Sequence, residues 1–105
     1  MSLNQLHLIG NIGHPPEKDQ NKNGNPFTRF TVAVNDHKTD QVQWFNCIAF
    51  GARAEYIANY ISKGAKVYLE GKMKSRMFDN GMQSEEKWRV MVDKIILLEK
   101  KNETK

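Results

Sequence analysis

Cationic and aromatic side chains alternate with apolar or small ones between Val67 and Phe78. Successive residues of a β-strand point to opposite faces, so this period of two separates an interior set from an outward set. The outward set consists of Tyr68, Glu70, Lys72, Lys74, Arg76 and Phe78. Cations can follow the phosphates of a single-stranded nucleic acid while flat side chains stack on its unpaired bases. The pattern predicts a nucleic-acid-binding strand, with local packing at a hairpin end as the alternative for Phe78.

The positive charge of the chain is concentrated in one short segment. The 105 residues include 16 basic and 12 acidic ones, a formal net charge of +4. Residues 63–78 carry five basic residues, beginning with Lys63, and one acidic residue, whereas the segments before and after are each neutral. Such a focus attracts a polyanion or an acidic surface. The alternative is a solvated strand edge whose lysines discourage sheet aggregation.

Both tryptophans lie on predicted strands where size alone favours the core. Trp44, Ile48 and Phe50 share one face of the strand predicted over residues 42–50 and would form a reasonable core stripe. Trp88 is in phase with the apolar residues that follow it, which also predicts a core position. From the residues alone, the core is slightly favoured over ligand contact for these side chains.

The elements that must position these residues follow from hydrophobic periodicity. Period-two patterns predict strands over 6–12, 27–34, 42–50, 67–78 and 87–98, and helical spacing predicts one short amphipathic helix over 52–62. This order predicts an all-β, five-stranded OB-fold Greek-key barrel with the helix between strands 3 and 4. An SH3-like barrel or an α+β sandwich remains open. We expect one domain over residues 1–98 and a short, frayed, charged stub over 99–105.

Catalysis, metal binding and membrane insertion have no convincing signal in the sequence. The three histidines lie in different segments, and no carboxylate pair, nucleophile set or phosphate loop accompanies them. The single cysteine, Cys47, excludes an internal disulfide, and no Cys/His cluster predicts a zinc site. No apolar run approaches the roughly 18 residues of a membrane span. We therefore expect a non-enzymatic protein without cofactor or membrane partner, located in the cytoplasm.

Several motifs, taken in order, resemble those of bacterial single-stranded DNA-binding proteins. Residues 8–17 are similar to the opening L-I-G-N-L-G-x-D-P-E of that family, and residues 44–51 are similar to its W-H-R-V-V-A-F-G. Further matching segments are residues 23–35, 54–55, 60–64, 67–71 and 92–95. The resemblance covers residues 4 to about 98, nearly the whole chain.

The resemblance implies an OB-fold that coats single-stranded DNA, usually as a homotetramer, with a dimer as the next expectation. Trp44 and Phe50 fall on the family's base-stacking aromatics, and Phe78 falls where a stacking tryptophan is common. The resemblance therefore favours DNA contact over the core for Trp44 and Phe50. Tyr60 and Lys63 match positions on the DNA path. The remaining expected phosphate contacts are Arg53, Lys72, Lys74 and Arg76.

Four departures from the family pattern qualify this expectation. His37 or Lys38 stands where the family has a further tryptophan. Asn46 replaces a frequent arginine, and Ala52 replaces a frequent lysine for which Arg53 is the substitute. Phe45 replaces a histidine that lies near subunit contacts in the family. The chain also ends without the linker and acidic tip through which family members recruit other enzymes, and such recruitment is not expected.

Two other binding functions are left open by the sequence. The primosomal replication protein N is a tail-less OB-fold relative of similar length that acts through protein contacts in replication restart. The absent tail favours that function, whereas the full set Trp44, Phe50 and Phe78 favours coating of single strands. An RNA-binding OB module also remains open, because stacking tolerates either sugar.

Overall fold

Six strands and one helix make up the computed structural model, which describes residues 1–100. The strands are β1 (Leu6–Ile12), β2 (Glu17–Gln20), β3 (Pro26–Asp36), β4 (Gln41–Phe50), β5 (Lys66–Asp79) and β6 (Ser84–Glu99). The helix α1 (Ala52–Tyr60) lies between β4 and β5. The all-β prediction with one short helix is confirmed, but the strand count is six instead of five. The predicted frayed stub lies, apart from residues 99 and 100, outside the described residues, and residue 99 still belongs to β6.

The additional strand, β2, lies in a segment for which the sequence predicts no strand. All four of its residues are exposed, and it pairs with β3 from Glu17↔Arg29 to Gln20↔Pro26. The Asn21 side chain holds the turn between them, because its Oδ1 accepts hydrogen bonds from the backbone N–H groups of Asn23 and Asn25. Backbone ladder bonds alone form β2, so no apolar alternation marks it in the sequence.

The sheet closes into a barrel through two short pairings. The strand order is β1-β5-β6-β4-β3-β2, and β1 also pairs with β3 at Asn11↔Ala33 and Ile12↔Val32. β4 and β6 run parallel and pair only at Cys47↔Val90 and Ile48↔Met91. The interior is apolar, and its fully buried side chains include Val32, Ile57, Val67, Leu69 and Val90. Along the barrel parts of β1, β3 and β5, buried residues alternate with less buried ones, as the period of two predicts.

The helix covers one end of the barrel. It buries Ala54 and Ile57, and the buried Thr28 hydroxyl donates a 2.9 Å hydrogen bond to the Ala54 carbonyl. α1 begins after Gly51, whose φ of 66° favours glycine. It ends at Tyr60, two residues earlier than predicted, because Ile61 is extended and buries its side chain. Within residues 1–100, no helix has the length and apolarity needed to cross a membrane.

A β-bulge between β5 and β6 depends on Gly71. The register changes from Glu70↔Lys94 to Gly71↔Val92, so β6 has one extra residue at this point. A Cβ atom at Gly71 would collide with the backbone oxygen of Met91. The close approach of the two strands therefore requires glycine at this position.

We expect Gly71→Ala to destabilise the fold by about 1–3 kcal/mol, the usual effect of overpacking a tight contact. Chemical denaturation followed by circular dichroism measures the loss. Ser75→Ala, an exposed position on the same strand, is the matched control and should unfold like the wild type. Equal stability of the Gly71→Ala and wild-type proteins would contradict the close approach.

The outward side of β1, β5 and β6 below the bulge is apolar at its centre. This apolar face consists of Ile9, Tyr68, Ile96 and Leu98, with Ile9 and Ile96 both opposite Tyr68 in register. The Tyr68 hydroxyl donates a 2.6 Å hydrogen bond to Glu70 Oε2 and lies 3.1 Å from His7 Nδ1. The bond to Glu70 lowers the pKa of that carboxyl, and the same bond raises the pKa of Tyr68.

We expect Tyr68→Phe to raise the pKa of Glu70 toward its ordinary value, because the main stabilising partner of the carboxylate is lost. A carboxyl pKa lowered in the folded state adds stability above the unfolded pKa, and this stability is lost as the pH falls through the folded pKa. The difference in free energy of unfolding between the wild type and the Tyr68→Phe protein should therefore become smaller at acidic pH. NMR titration of the Glu70 carboxyl carbon measures the shift, with Tyr56→Phe as control. An unchanged Glu70 pKa would contradict the hydrogen bond.

Candidate nucleic-acid interface

The outer half of the β5–β6 hairpin carries a face of like charges. This cationic face consists of Lys72, Lys74 and Arg76 from β5 and of Lys87 and Arg89 from β6; Arg89 is half-buried and the other four are exposed. Lys74 lies opposite Arg89, and Arg76 lies opposite Lys87. Like charges directly opposite each other destabilise a sheet. Among residues 1–100, the only ion pair joins Lys18 to Glu55, so no carboxylate lies within 4.0 Å of the cationic face.

Phe78 lies at the far end of the cationic face, next to two of its cations. Arg76 Cζ is 5.6 Å and Lys87 Nζ is 5.2 Å from the centroid of the Phe78 ring. Both distances are within the range of a cation–π contact. The ring is nevertheless 42 % exposed. It offers a flat surface for stacking beside two groups that attract phosphate.

A cleft of about 330 Å³ separates the hairpin from the outward side of β3 and β4. This hairpin cleft is lined from the sheet by Arg29, Thr31 and Asn46, and from the hairpin by Phe78, Lys87, Trp88 and Arg89. Glu17, opposite Arg29 in register, is its single carboxylate-bearing residue. The cleft begins where β4 and β6 separate, immediately before the Cys47↔Val90 pair.

A second cleft, of about 320 Å³, lies beside the first and brings three predicted site residues together. This Phe50 cleft is lined by Phe50, Lys74, Ser75, Arg76, Arg89 and Met91. Arg89 lines both clefts, so the two form neighbouring parts of one cationic surface. The Phe50 ring is 39 % exposed and contacts Phe27, with ring centroids 6.0 Å apart.

Trp44 lies outward on the same side of β4 as Phe50. Its side chain is 61 % exposed, and its ring packs on Gly13, where any Cβ atom would collide with it. Ile48, between Trp44 and Phe50 on this side, is buried. Ile48 lies outside the core cluster and borders the hairpin cleft, and the core interpretation from size is wrong for the two exposed aromatics.

Trp88 was predicted to lie in the core, and the structure contradicts this. Its side chain is 53 % exposed, whereas Val90 and Val92, in phase with it, are buried. The physical reason is that β6 leaves the barrel before Val90, so no interior lies beneath Trp88. Lys87, Arg89 and Arg29 are the other surface residues that the sequence reasoning missed. The triplet Lys87-Trp88-Arg89 was the available signal, since it combines an aromatic with cations as residues 76–78 do.

The remaining predicted site residues do not line either cleft. Tyr60 is exposed at the end of α1, with its ring centroid 5.5 Å from that of Tyr56. Arg53 Nε donates a hydrogen bond to the Asp93 carbonyl, which fixes the arginine against β6. Lys63 lies exposed in the turn between α1 and β5. Lys72 belongs to the cationic face but lines neither cleft.

Cys47 borders the hairpin cleft but is held as a neutral thiol. Burial raises its pKa to about 12, and its sulfur donates to the Phe45 carbonyl at 3.6 Å. The thiolate, which is the nucleophilic form, is therefore scarce at neutral pH. In the described part of the chain, no three His, Cys, Asp or Glu residues form a group able to hold a metal ion. The arrangement suits binding through stacking and charge.

Comparison with known proteins identifies the family. The sequence model of the single-strand binding protein family matches residues 3–98. This chain belongs to that family. A single-stranded DNA-binding protein of the onion yellows phytoplasma is 33 % identical over 105 residues, which cover 96 % of this chain and 99 % of the relative. Single-stranded DNA-binding protein 1 of Chlorobaculum tepidum is 29 % identical over 93 residues, 82 % of this chain and 57 % of the relative.

The family fold is also that of a solved structure. The chain matches the Plasmodium falciparum SSB in complex with single-stranded DNA with a TM-score of 0.85 at 22 % identity, covering 94 % of this chain and 97 % of that one. The OB-fold prediction is confirmed by this likeness. The chain spans only part of the length of some curated relatives. Its match to Single-stranded DNA-binding protein 1 of Xylella fastidiosa covers 61 % of that relative, and its match to the Chlorobaculum protein covers 57 %.

Proposed function

We propose that this family member binds and protects single-stranded DNA, without catalysis and largely independently of sequence, during replication, recombination or repair in the bacterial cytoplasm or nucleoid. The observation that carries the proposal is the juxtaposition of cations, which form no ion pair within residues 1–100, with exposed aromatics around two adjoining clefts. Membership of the single-strand binding protein family supports the same ligand. Neither the fold nor the family match favours the replication-restart alternative.

The proposed mechanism divides the nucleic acid between two kinds of side chain. Unpaired bases stack on Trp44, Phe50 and Phe78, at about 1–3 kcal/mol for each base. Every base has such a flat surface, so stacking does not depend on sequence. In a duplex the base pairs stack on each other, so their faces are not accessible to these aromatic side chains. The selectivity for single strands follows from this difference.

Lysine and arginine neutralise the phosphates in this mechanism. Lys72, Lys74 and Arg76 attract the backbone toward the hairpin, where their mutual repulsion is relieved when an anion binds. Arg53, Tyr60 and Lys63 lie near α1, outside the clefts, and extend the proposed path along the barrel. The guanidinium of Arg53 keeps further N–H donors beside the one that Asp93 engages.

Intrinsic tryptophan fluorescence tests the proposal directly. The protein is titrated with oligo-dT, with duplex DNA of equal length and with oligo-U, each at low and high salt. We expect quenching by oligo-dT that weakens with salt, and little change with the duplex. Equal affinity for oligo-U would extend the proposal to RNA. Absence of binding to every single strand would reject it.

Neutralising substitutions on the cationic face should reduce the salt dependence of binding. Each phosphate neutralised on a single strand contributes roughly 0.7 to the slope of log affinity against log salt. We expect Lys74→Ala and Arg76→Ala each to lower the slope by about that amount. Affinity measured by fluorescence anisotropy over a salt series gives the slope. Lys18→Ala is the control, because Lys18 is already paired with Glu55 at 2.7 Å. Unchanged slopes in both variants would contradict the placement of the phosphates.

We further propose that the protein associates with copies of itself, as a homotetramer in the first place and a homodimer in the second. The apolar face of Ile9, Tyr68, Ile96 and Leu98 supports this, because all but the half-buried Tyr68 are exposed on a domain whose small core limits its stability. Glu70 and Lys94, opposite each other in register, lie beside it and offer complementary charges. A symmetric contact uses the same patch on each copy.

Sedimentation velocity tests this association. The wild type should sediment as a tetramer, and Ile96→Glu should sediment as a smaller species because it places a charge in the apolar face. Val42→Glu, a substitution of an exposed apolar residue on β4, should leave the assembly intact. A wild type that is monomeric, or an Ile96→Glu variant that remains a tetramer, would contradict the proposed interface.

A further inference from the structure

Trp88 is a large aromatic side chain that is neither buried in the core nor one of the predicted stacking residues. It lies on the side of β6 that faces the barrel interior further along the strand, yet it is 53 % exposed. Its indole lines the hairpin cleft, together with Phe78 and Asn46. A half-exposed tryptophan in a concave site has apolar surface that a ligand can cover.

The chemistry of the hairpin cleft points to a nucleotide. Two exposed aromatic side chains, Phe78 and Trp88, line it. Within residues 1–100, Arg29, Lys87 and Arg89 give its lining three cationic residues against one carboxylate, that of Glu17. Its volume of about 330 Å³ is at the lower end of the range for small-ligand sites. The Asn46 amide supplies both a hydrogen-bond donor and an acceptor, and the edges of nucleobases carry the complementary acceptors and donors.

We infer that Trp88 is an additional base-stacking residue, and that the hairpin cleft holds one unpaired nucleobase of the bound strand. The base lies against the indole, and its flanking phosphates lie on Lys87 and Arg89. This inference rests on the proposed binding of single-stranded DNA and adds a base site to it. The strand then passes from the Phe50 cleft into the hairpin cleft by way of Arg89, which lines both.

The two tryptophans of the chain make a selective experiment possible. Trp44→Phe leaves Trp88 as the only indole, and Trp88→Phe leaves Trp44. Each variant is titrated with oligo-dT and with an abasic deoxyribose-phosphate oligomer of equal length. We expect oligo-dT to quench Trp88 in the Trp44→Phe protein. The abasic oligomer should bind through its phosphates and leave that fluorescence nearly unchanged, because it has no base to stack.

Affinity measurements separate stacking from an indirect change around the indole. Trp88→Ala should weaken oligo-dT binding about 5- to 150-fold, the equivalent of one stacked base. Trp88→Phe should retain most of the affinity, since it keeps a ring. Met82→Ala, at the exposed hairpin tip, is the control and should bind like the wild type. If Trp88→Ala does not fold, the fluorescence titration of the Trp44→Phe protein still decides.

Failure of this inference is distinguishable from failure of the proposed function. Unchanged Trp88 fluorescence at saturating oligo-dT, with quenching of Trp44 in the Trp88→Phe protein, would overturn the base site and leave single-strand binding intact. Equal quenching of Trp88 by the abasic oligomer would also overturn it. If the wild type binds no single strand at all, both proposals fail together.

Discussion

The short parallel pairing of β4 with β6 is the constraint on which the binding surface depends. These strands meet at only two register positions, Cys47↔Val90 and Ile48↔Met91. Before those positions β6 is paired with β5 alone, so the hairpin leaves the barrel and a cleft opens against β3 and β4. A longer pairing would close this cleft and bury Trp88. The barrel therefore supplies stability at one end of β6 and an open surface at the other.

Repulsion between like charges destabilises the β5–β6 hairpin, and a purely structural hairpin would avoid it. Lys74↔Arg89 and Arg76↔Lys87 place like charges opposite each other on one face. The acidic residues of β6 do not relieve this repulsion, because within residues 1–100 none lies within 4.0 Å of these cations. A bound polyanion would relieve it. Trp44 and Phe78 are exposed at the two ends of this surface and offer flat rings on which unpaired bases can stack.

Local sequence patterns predicted most of the fold. Alternation located β1, β3, β4, β5 and β6, since each buries one side against a single core, and helical spacing located α1. β2 escaped prediction because its stability comes from backbone bonds to β3 and from the Asn21 turn, neither of which leaves an apolar pattern.

The candidate site was predictable only in part, for physical reasons. The cations of β5 stand out in the sequence because few acidic residues accompany them. Lys87 and Arg89 do not stand out, because the acidic residues of the same segment bring its net charge to zero. Their alignment with β5 depends on strand register, which includes a bulge at Gly71. Trp88 has the phase of a core residue, and only the point at which β6 leaves the barrel shows that no core lies there.

Amide chemical-shift mapping during a titration with oligo-dT shows which surface the bound strand contacts. We expect the strand to lie across the outward side of β3 and β4 and the cationic face of the β5–β6 hairpin. The largest shifts should then map to the residues around the two clefts, with small shifts around Ile9, Tyr68 and Ile96. The largest shifts on that apolar face, with the clefts unaffected, would contradict this placement of the strand.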